Sequence, residues 1–195
     1  MTRVIVGGVG YPDLCDYSIG IDVQERLSTW KAPPNVSVED LSYNPIAVVQ
    51  RLDDEPIERR FGRMVIVSAV KRGNRAPGTV SCYRWDGTLP SNEEIQDAVT
   101  DAVTGIIALE NTLVITQYFG ALPRETVVVE VEPETHEFGA ALSEAVQSVF
   151  EQLCEIVKTL ATDDDAVMRL PVQPLTFAMA PGTRMIVSEA LRTTP

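Results

Sequence analysis

Two rhythms of apolar residues alternate along the chain, short β-branched runs and longer stripes at helical spacing. Arg3 to Val6 is a run of the first kind, stopped by Gly7 and Gly8, and predicts a buried strand. A loop from Gly8 to Ser18 follows. Ile19, Val23, Leu27 and Trp30 then recur at helical spacing until Pro33-Pro34 ends the helix. Val36 to Leu41 alternates as a second strand, and Pro45 to Leu52 reads as a short helix. Phe61 to Val70 contains Met64-Val65-Ile66-Val67, the continuous apolar run of a central strand covered on both faces. Thr79 to Trp85 alternates again.

The second half continues the pattern. Ser91 and Glu94 form a capping box, and behind it Ile95, Val99, Ala102, Val103, Ile106 and Ile107 make a helical stripe. Thr126 to Val131 is a near-continuous valine strand. From Ser143 the positions Val146, Val149, Phe150, Leu153, Ile156, Val157 and Leu160 give the clearest amphipathic helix in the sequence. Asp163-Asp164-Asp165 then opposes the negative end of that helix and stops it. The pattern divides the chain into a domain over residues 1–162 and a tail over 163–195 punctuated by Pro171, Pro174 and Pro181. The tail reads either as an extended arm, packing back or docking on a partner, or as a partly ordered terminus.

Strands alternating with helices predict a three-layer α/β/α domain around a mainly parallel twisted sheet. In such folds ligands gather beyond the carboxyl ends of the strands. Three segments are therefore singled out: Gly8 to Ser18 with its Gly8-Val9-Gly10 pair after the first strand, Ser68 to Pro77 after the third, and the approach to the Ser91 helix.

Composition narrows the chemistry. Acidic residues outnumber basic ones 28 to 16, for a formal net charge of −12, which argues against nucleic acid as a partner. No apolar run reaches the roughly 18 to 20 residues that span a bilayer, and Val4-Ile5-Val6 is too short for a signal-peptide core. Cys15, Cys82 and Cys154 are scattered, which predicts free thiols and a cytoplasmic protein.

Gly8-Val9-Gly10 supplies two glycines of a dinucleotide fingerprint, but Asp13 stands where the third is needed and would repel a pyrophosphate. There is no phosphate-cradling G-x-x-x-x-G-K loop and no G-x-S-x-G elbow. The single histidine, His136, lies in a polar connection and reads as solvated. Asp13 and Asp16, with Asp97 and Asp101, are candidates for an all-carboxylate cation pocket; the plainer reading is that Asp16 caps the following helix and the others are solvated. Lys71-Arg72-Gly73-Asn74-Arg75 is the one local concentration of positive charge. It reads either as a dock for a carboxylate or acidic partner segment or as an exposed polar turn before Pro77-Gly78.

Several segments taken in order resemble the hydrogenase maturation proteases, endopeptidases that trim the C-terminus of the [NiFe]-hydrogenase large subunit. Val4-Ile5-Val6-Gly7-Gly8-Val9-Gly10, then Asp16 and Gly20, looks like that family's opening G-x-G-N…D-(D/E)-x-x-G. Ala69 and Ala76-Pro77-Gly78-Thr79 look like its strand and "PGT" return, Val127 to Glu134 like its late strand, and Leu142-Ser143 like the start of its last helix. The similarity spreads over most of residues 3 to 161 and leaves the tail out.

The resemblance implies the family's α/β fold and a link to hydrogenase assembly, and with the basic run after the third strand it outlines a binding groove of Gly8, Gly10, Tyr11, Asp13, Tyr17, Ser68, Lys71, Arg72 and Arg75. It also implies a nickel-recognition site of an acid after the first strand, an Asp after the third and a His at the later helix. Here those positions fall on Tyr17, Ser68 and about Gly105, and no histidine exists from Met1 to Thr135. The family's Asn after the second glycine is Tyr11. Neutral hydroxyls and a glycine are poor nickel ligands, so no resident metal or cofactor is expected. Nickel would be met only through a partner. Two functions stay open: a non-proteolytic scaffold binding a hydrogenase large subunit or another protein, and an active endopeptidase using an unorthodox site around Asp16.

Overall fold

The computed structural model describes residues 1–139 and 141–175. Its sheet has six strands: β1 (Val4–Gly8), β2 (Val36–Asp40), β3 (Arg63–Ala69), β4 (Val80–Trp85), β5 (Glu125–Val131) and β6 (Val172–Gln173). Their spatial order is β2-β1-β3-β5-β4-β6. The first four in that order are parallel, so the sheet is mainly parallel as expected. β4 runs antiparallel to β5, and β6 runs parallel to β4.

Helices cover both faces, giving the three-layer α/β/α architecture. Val4, Val6, Val65, Val67, Val127 and Val129 turn toward α1 (Ile19–Ser28) and α5 (Glu144–Thr162). Ile5, Met64, Ile66 and Val128 turn the other way, toward α2 (Pro45–Asp53) and α4 (Leu109–Tyr118). α3 (Asn92–Val103) packs on α4 through Ile95, Ala98 and Ala102. Its capping box is present as expected, Ser91 accepting from the Glu94 N–H and Glu94 accepting from the Ser91 N–H. Of the rest of the expected stripe, Val99, Val103 and Ile106 are exposed, because small alanines form the contact with α4, while Ile107, beyond the helix, packs partly against the core.

The antiparallel return of β4 positions everything that follows. β5 lies between β3 and β4, so the connection 70–79 must cross the carboxyl end of β5 before β4 descends beyond it. The Ser91 helix therefore begins at the opposite rim, away from the carboxyl ends. α3 climbs back, and the turn between α3 and α4 reaches the carboxyl rim beside the first loop: the Tyr11 hydroxyl accepts a hydrogen bond from the Ile107 N–H.

Residues 163–175, expected to begin the tail, belong to the body. The three acids do stop α5, but they also start α6 (Asp164–Met168), with the Asp163 carboxylate accepting from the Ala166 N–H. Asp164 pairs with the buried Arg63 at 2.6 Å, and β6 extends the sheet. The remainder of the expected arm, residues 176–195, lies outside the described residues.

Candidate functional site

The carboxyl rim brings together four segments: the loop after β1, the crossing loop 70–79, the start of α4, and the connection from β5 to α5. The first of these is not a ligand cradle. A Cβ at Gly8 would stand 2.0 Å from the Gly20 carbonyl oxygen, one at Gly10 would stand 2.5 Å from that of Tyr17, and one at Gly20 would stand 2.3 Å from that of Val9. The glycines let the loop and the start of α1 touch backbone to backbone. Their amides are spent internally as well: the Gly10 N–H donates to Ser42 Oγ and the Tyr11 N–H to the Tyr17 carbonyl. Gly8→Ala should therefore cost about 3 kcal/mol, since neither backbone can give way; thermal unfolding of the variant checks it.

Asp16 does not cap α1, whose N-cap is Ser18 without a side-chain bond. Its carboxylate is wholly buried. One oxygen accepts from the Glu134 and Thr135 N–H groups at 2.8 and 3.1 Å, the other from the Ser143 N–H at 2.7 Å. Both oxygens are thus held by backbone, and Asp16 ties the start of the β5–α5 connection to its end. Around it Asp13 and Cys15 adopt positive φ, 57° and 43°, where the loop exchanges backbone hydrogen bonds with Gly139.

The basic run resolves into neither sequence-based alternative. Lys71 is exposed, but Arg72 and Arg75 serve internal carboxylates. Arg72 has a side chain only 6% exposed and forks onto Glu130, Nε to Oε2 at 3.1 Å and Nη2 to Oε1. Its Nη1 reaches Glu110 of α4 at 3.3 Å. Glu130 also accepts from Arg75 at 2.9 Å and from the Tyr83 hydroxyl at 2.8 Å. Glu132 caps the crossing loop by accepting from the Arg72 and Gly73 N–H groups at about 3.0 Å. Burial pushes the Glu130 carboxyl up, but hydrogen bonds from Arg72, Tyr83 and Arg75 and the Arg72 charge outweigh it. Its pKa lies below the ordinary 4.5. Burial above all, with the Glu130 charge, pushes the Tyr83 phenol up strongly, and the Cys82 thiol up to about 11. Cys82 is protonated at neutral pH and is no nucleophile.

Neither a family model nor a curated protein sequence matches the chain. Solved structures do. The hydrogenase maturating endopeptidase HybD from E. coli superposes with a TM-score of 0.60 at 22% identity, over 80% of this chain and 90% of that one. The hydrogenase 2 maturation peptidase from Thaumarchaeota archaeon SCGC_AB-539-E09 gives 0.56 at 23%, over 80% and 95%. The [NiFe] hydrogenase maturation protease HybD from Thermococcus kodakarensis gives 0.55 at 18%, over 83% and 100%. The chain has the fold of the hydrogenase maturation endopeptidases.

Within this maturation-endopeptidase fold, two of the three positions expected to recognise metal do converge on the Arg72 cluster. Tyr17 is half-buried; burial, then the charges of Glu132, Glu110 and Asp16, raises its phenol above the ordinary 10.0. It stays protonated, and a neutral phenol is a weak ligand. Ser68 is buried and sits level with Glu130 across the β3–β5 pair. Gly105 is exposed at the α3–α4 turn with φ 88°, and the helix residue that reaches the cluster is Glu110, five positions on. A permanent guanidinium thus occupies the centre of the site, so these residues do not fit a nickel ion.

The other candidates stay apart. Asp13 and Asp97 are exposed, and Asp101 meets Asn111 at 3.4 Å. No group of three or more His, Cys, Asp or Glu among the described residues is placed to hold a metal ion. His136 is exposed, as its setting suggested. Two surface hollows, of about 280 and 240 Å³, lie at Asp22, Leu142 and Phe150 and at Trp85, Asp86 and Arg124, away from the cluster. No helix among the described residues is long and apolar enough to cross a membrane.

The glutamates were not singled out from sequence, although a signal existed. Glu130 interrupts a valine strand that must be covered on both faces. An acid there requires a cation nearby.

Proposed function

We propose that the chain is a divergent, non-proteolytic relative of the hydrogenase maturation proteases that binds a hydrogenase large subunit, or another protein partner, during metalloenzyme assembly in the cytoplasm. The fold supports the kinship. The carrying observation is Arg72: where a metal-recognition site is expected, its guanidinium sits between Glu110 and Glu130. A cation cannot enter beside a fixed positive charge without displacing it. The alternative of an unorthodox protease centred on Asp16 is weakened because both Asp16 oxygens are committed to backbone amides. No such carboxylate is free to activate water.

The test mixes purified protein with a nickel-loaded large-subunit precursor and follows both association and C-terminal trimming. Association without trimming is expected, and calorimetry with Ni²⁺ alone should show no tight binding. Trimming that disappears in Asp16→Asn while the fold persists would overturn the non-proteolytic reading.

A further inference from the structure

Loops at a sheet rim are ordinarily the mobile parts of a domain. The connection from β5 to α5 is instead tied down at Glu134, Thr135, Gly139 and Ser143. Asp16 holds the amides of Glu134, Thr135 and Ser143. Gly139 donates its N–H to the Asp13 carbonyl and accepts from the Cys15 N–H, both at 2.8 Å. The Glu137 N–H donates to Thr135 Oγ1 at 3.2 Å. Two non-glycine residues, Asp13 and Cys15, keep positive φ where that pairing is made, a strained conformation that the pairing must hold.

What this framework holds is the backbone that carries a bare aromatic ring. Phe138, directly before the Gly139 clasp, is 87% exposed. Tyr118 and Phe119, also exposed, at least pack edge to face on each other. Phe138 lies on the carboxyl rim, where Asp16 joins its loop to the segment carrying Tyr17. Its surroundings are acidic: Asp13, Glu134 and Glu137 are all exposed.

We infer that Phe138 is a preorganised anchor for a protein partner, entering an apolar pocket whose rim is basic. This rests on the partner-binding function proposed above and names the residue through which it works. A backbone already fixed loses little further entropy on docking, and a phenylalanine has only two side-chain torsions left to order. Aromatic anchors of this kind carry a disproportionate share of interface energy. The acids around it choose the sign of the partner's rim and steer its approach.

The probe is the nickel-loaded hydrogenase large-subunit precursor, with affinity measured by biolayer interferometry. Phe138→Ala should weaken binding about thirtyfold. Phe138→Leu should stay within about threefold of the parent, since a pocket accepts another apolar side chain. The paired change Glu134→Lys with Glu137→Lys should slow association and flatten its dependence on salt. The melting temperature of Phe138→Ala should match the parent, because an exposed ring contributes nothing to the core. Parent-like affinity in Phe138→Ala overturns the anchor alone, and so does a melting temperature several degrees lower. Absence of any association by the unaltered chain overturns the large subunit as the partner, and the anchor toward it as well.

Discussion

Replacing Arg72 with alanine should destabilise the protein by about 3 to 5 kcal/mol at neutral pH, measured by equilibrium unfolding in urea. The reason is not the worth of the ion pair itself. Glu130 has a side chain 1% exposed, and Arg72 supplies two of the hydrogen bonds that keep its charge tolerable there. Without the guanidinium, Arg75 and Tyr83 must hold a buried carboxylate alone, with Glu110 repelling it.

The pH dependence fixes the cause. In the parent the Glu130 pKa is below its unfolded value of 4.5, so its stabilisation is complete above 4.5 and fades as pH falls below that value. In the variant desolvation wins and the pKa rises above 4.5, so the folded state takes up the proton first. The variant then gains stability as pH drops from 7 toward 4.5, and the gap to the parent narrows. Removing both charges, Arg72→Met with Glu130→Gln, should recover part of the loss. A pH-independent deficit would mean that Arg72 acts by packing alone.

The second large effect is at Asp16. Asp16→Asn should cost about 3 kcal/mol, because an amide turns an N–H group toward at least one backbone donor that the carboxylate accepted. Amide hydrogen exchange at Glu134, Thr135 and Ser143 should accelerate together, since one side chain serves all three. A catalytic carboxylate behaves otherwise: its substitution leaves stability alone and abolishes turnover. Unfolding and trimming measured on the same variant therefore separate the two roles.

Legibility from sequence followed the range of the interactions. The capping box at Ser91 and the stripe of α5 were readable because every partner lies within a few residues. α4 was not. It is buried on nearly every side, so it shows no alternation of apolar and polar faces, and its threonines hide by bonding back to the helix. The sequence marks Asp16 through its place after the glycine loop, but its partners lie 118 to 127 residues away, whereas its local neighbours point only to a cap on the adjacent helix.

The glycine loop marks the same division. Spacing alone placed a buried strand ahead of the glycine loop, though β1 runs on through Gly7 and Gly8, and showed that Asp13 spoils a phosphate cradle. Only the packing of α1 showed that the glycines exist for backbone contact with Gly20 and Tyr17. By itself the sequence determined the α/β class, the valine strands, the strongest helices and the absence of histidine where a ligand was expected, because these are properties of composition and period. The tertiary structure alone decided what replaces that ligand set. β4 pairs beyond β5 in the antiparallel sense, which carries Arg72 across the end of β5 and onto Glu130, 58 residues away. A strand pairing of that range is set by the free energy of the whole sheet, and no local pattern encodes it.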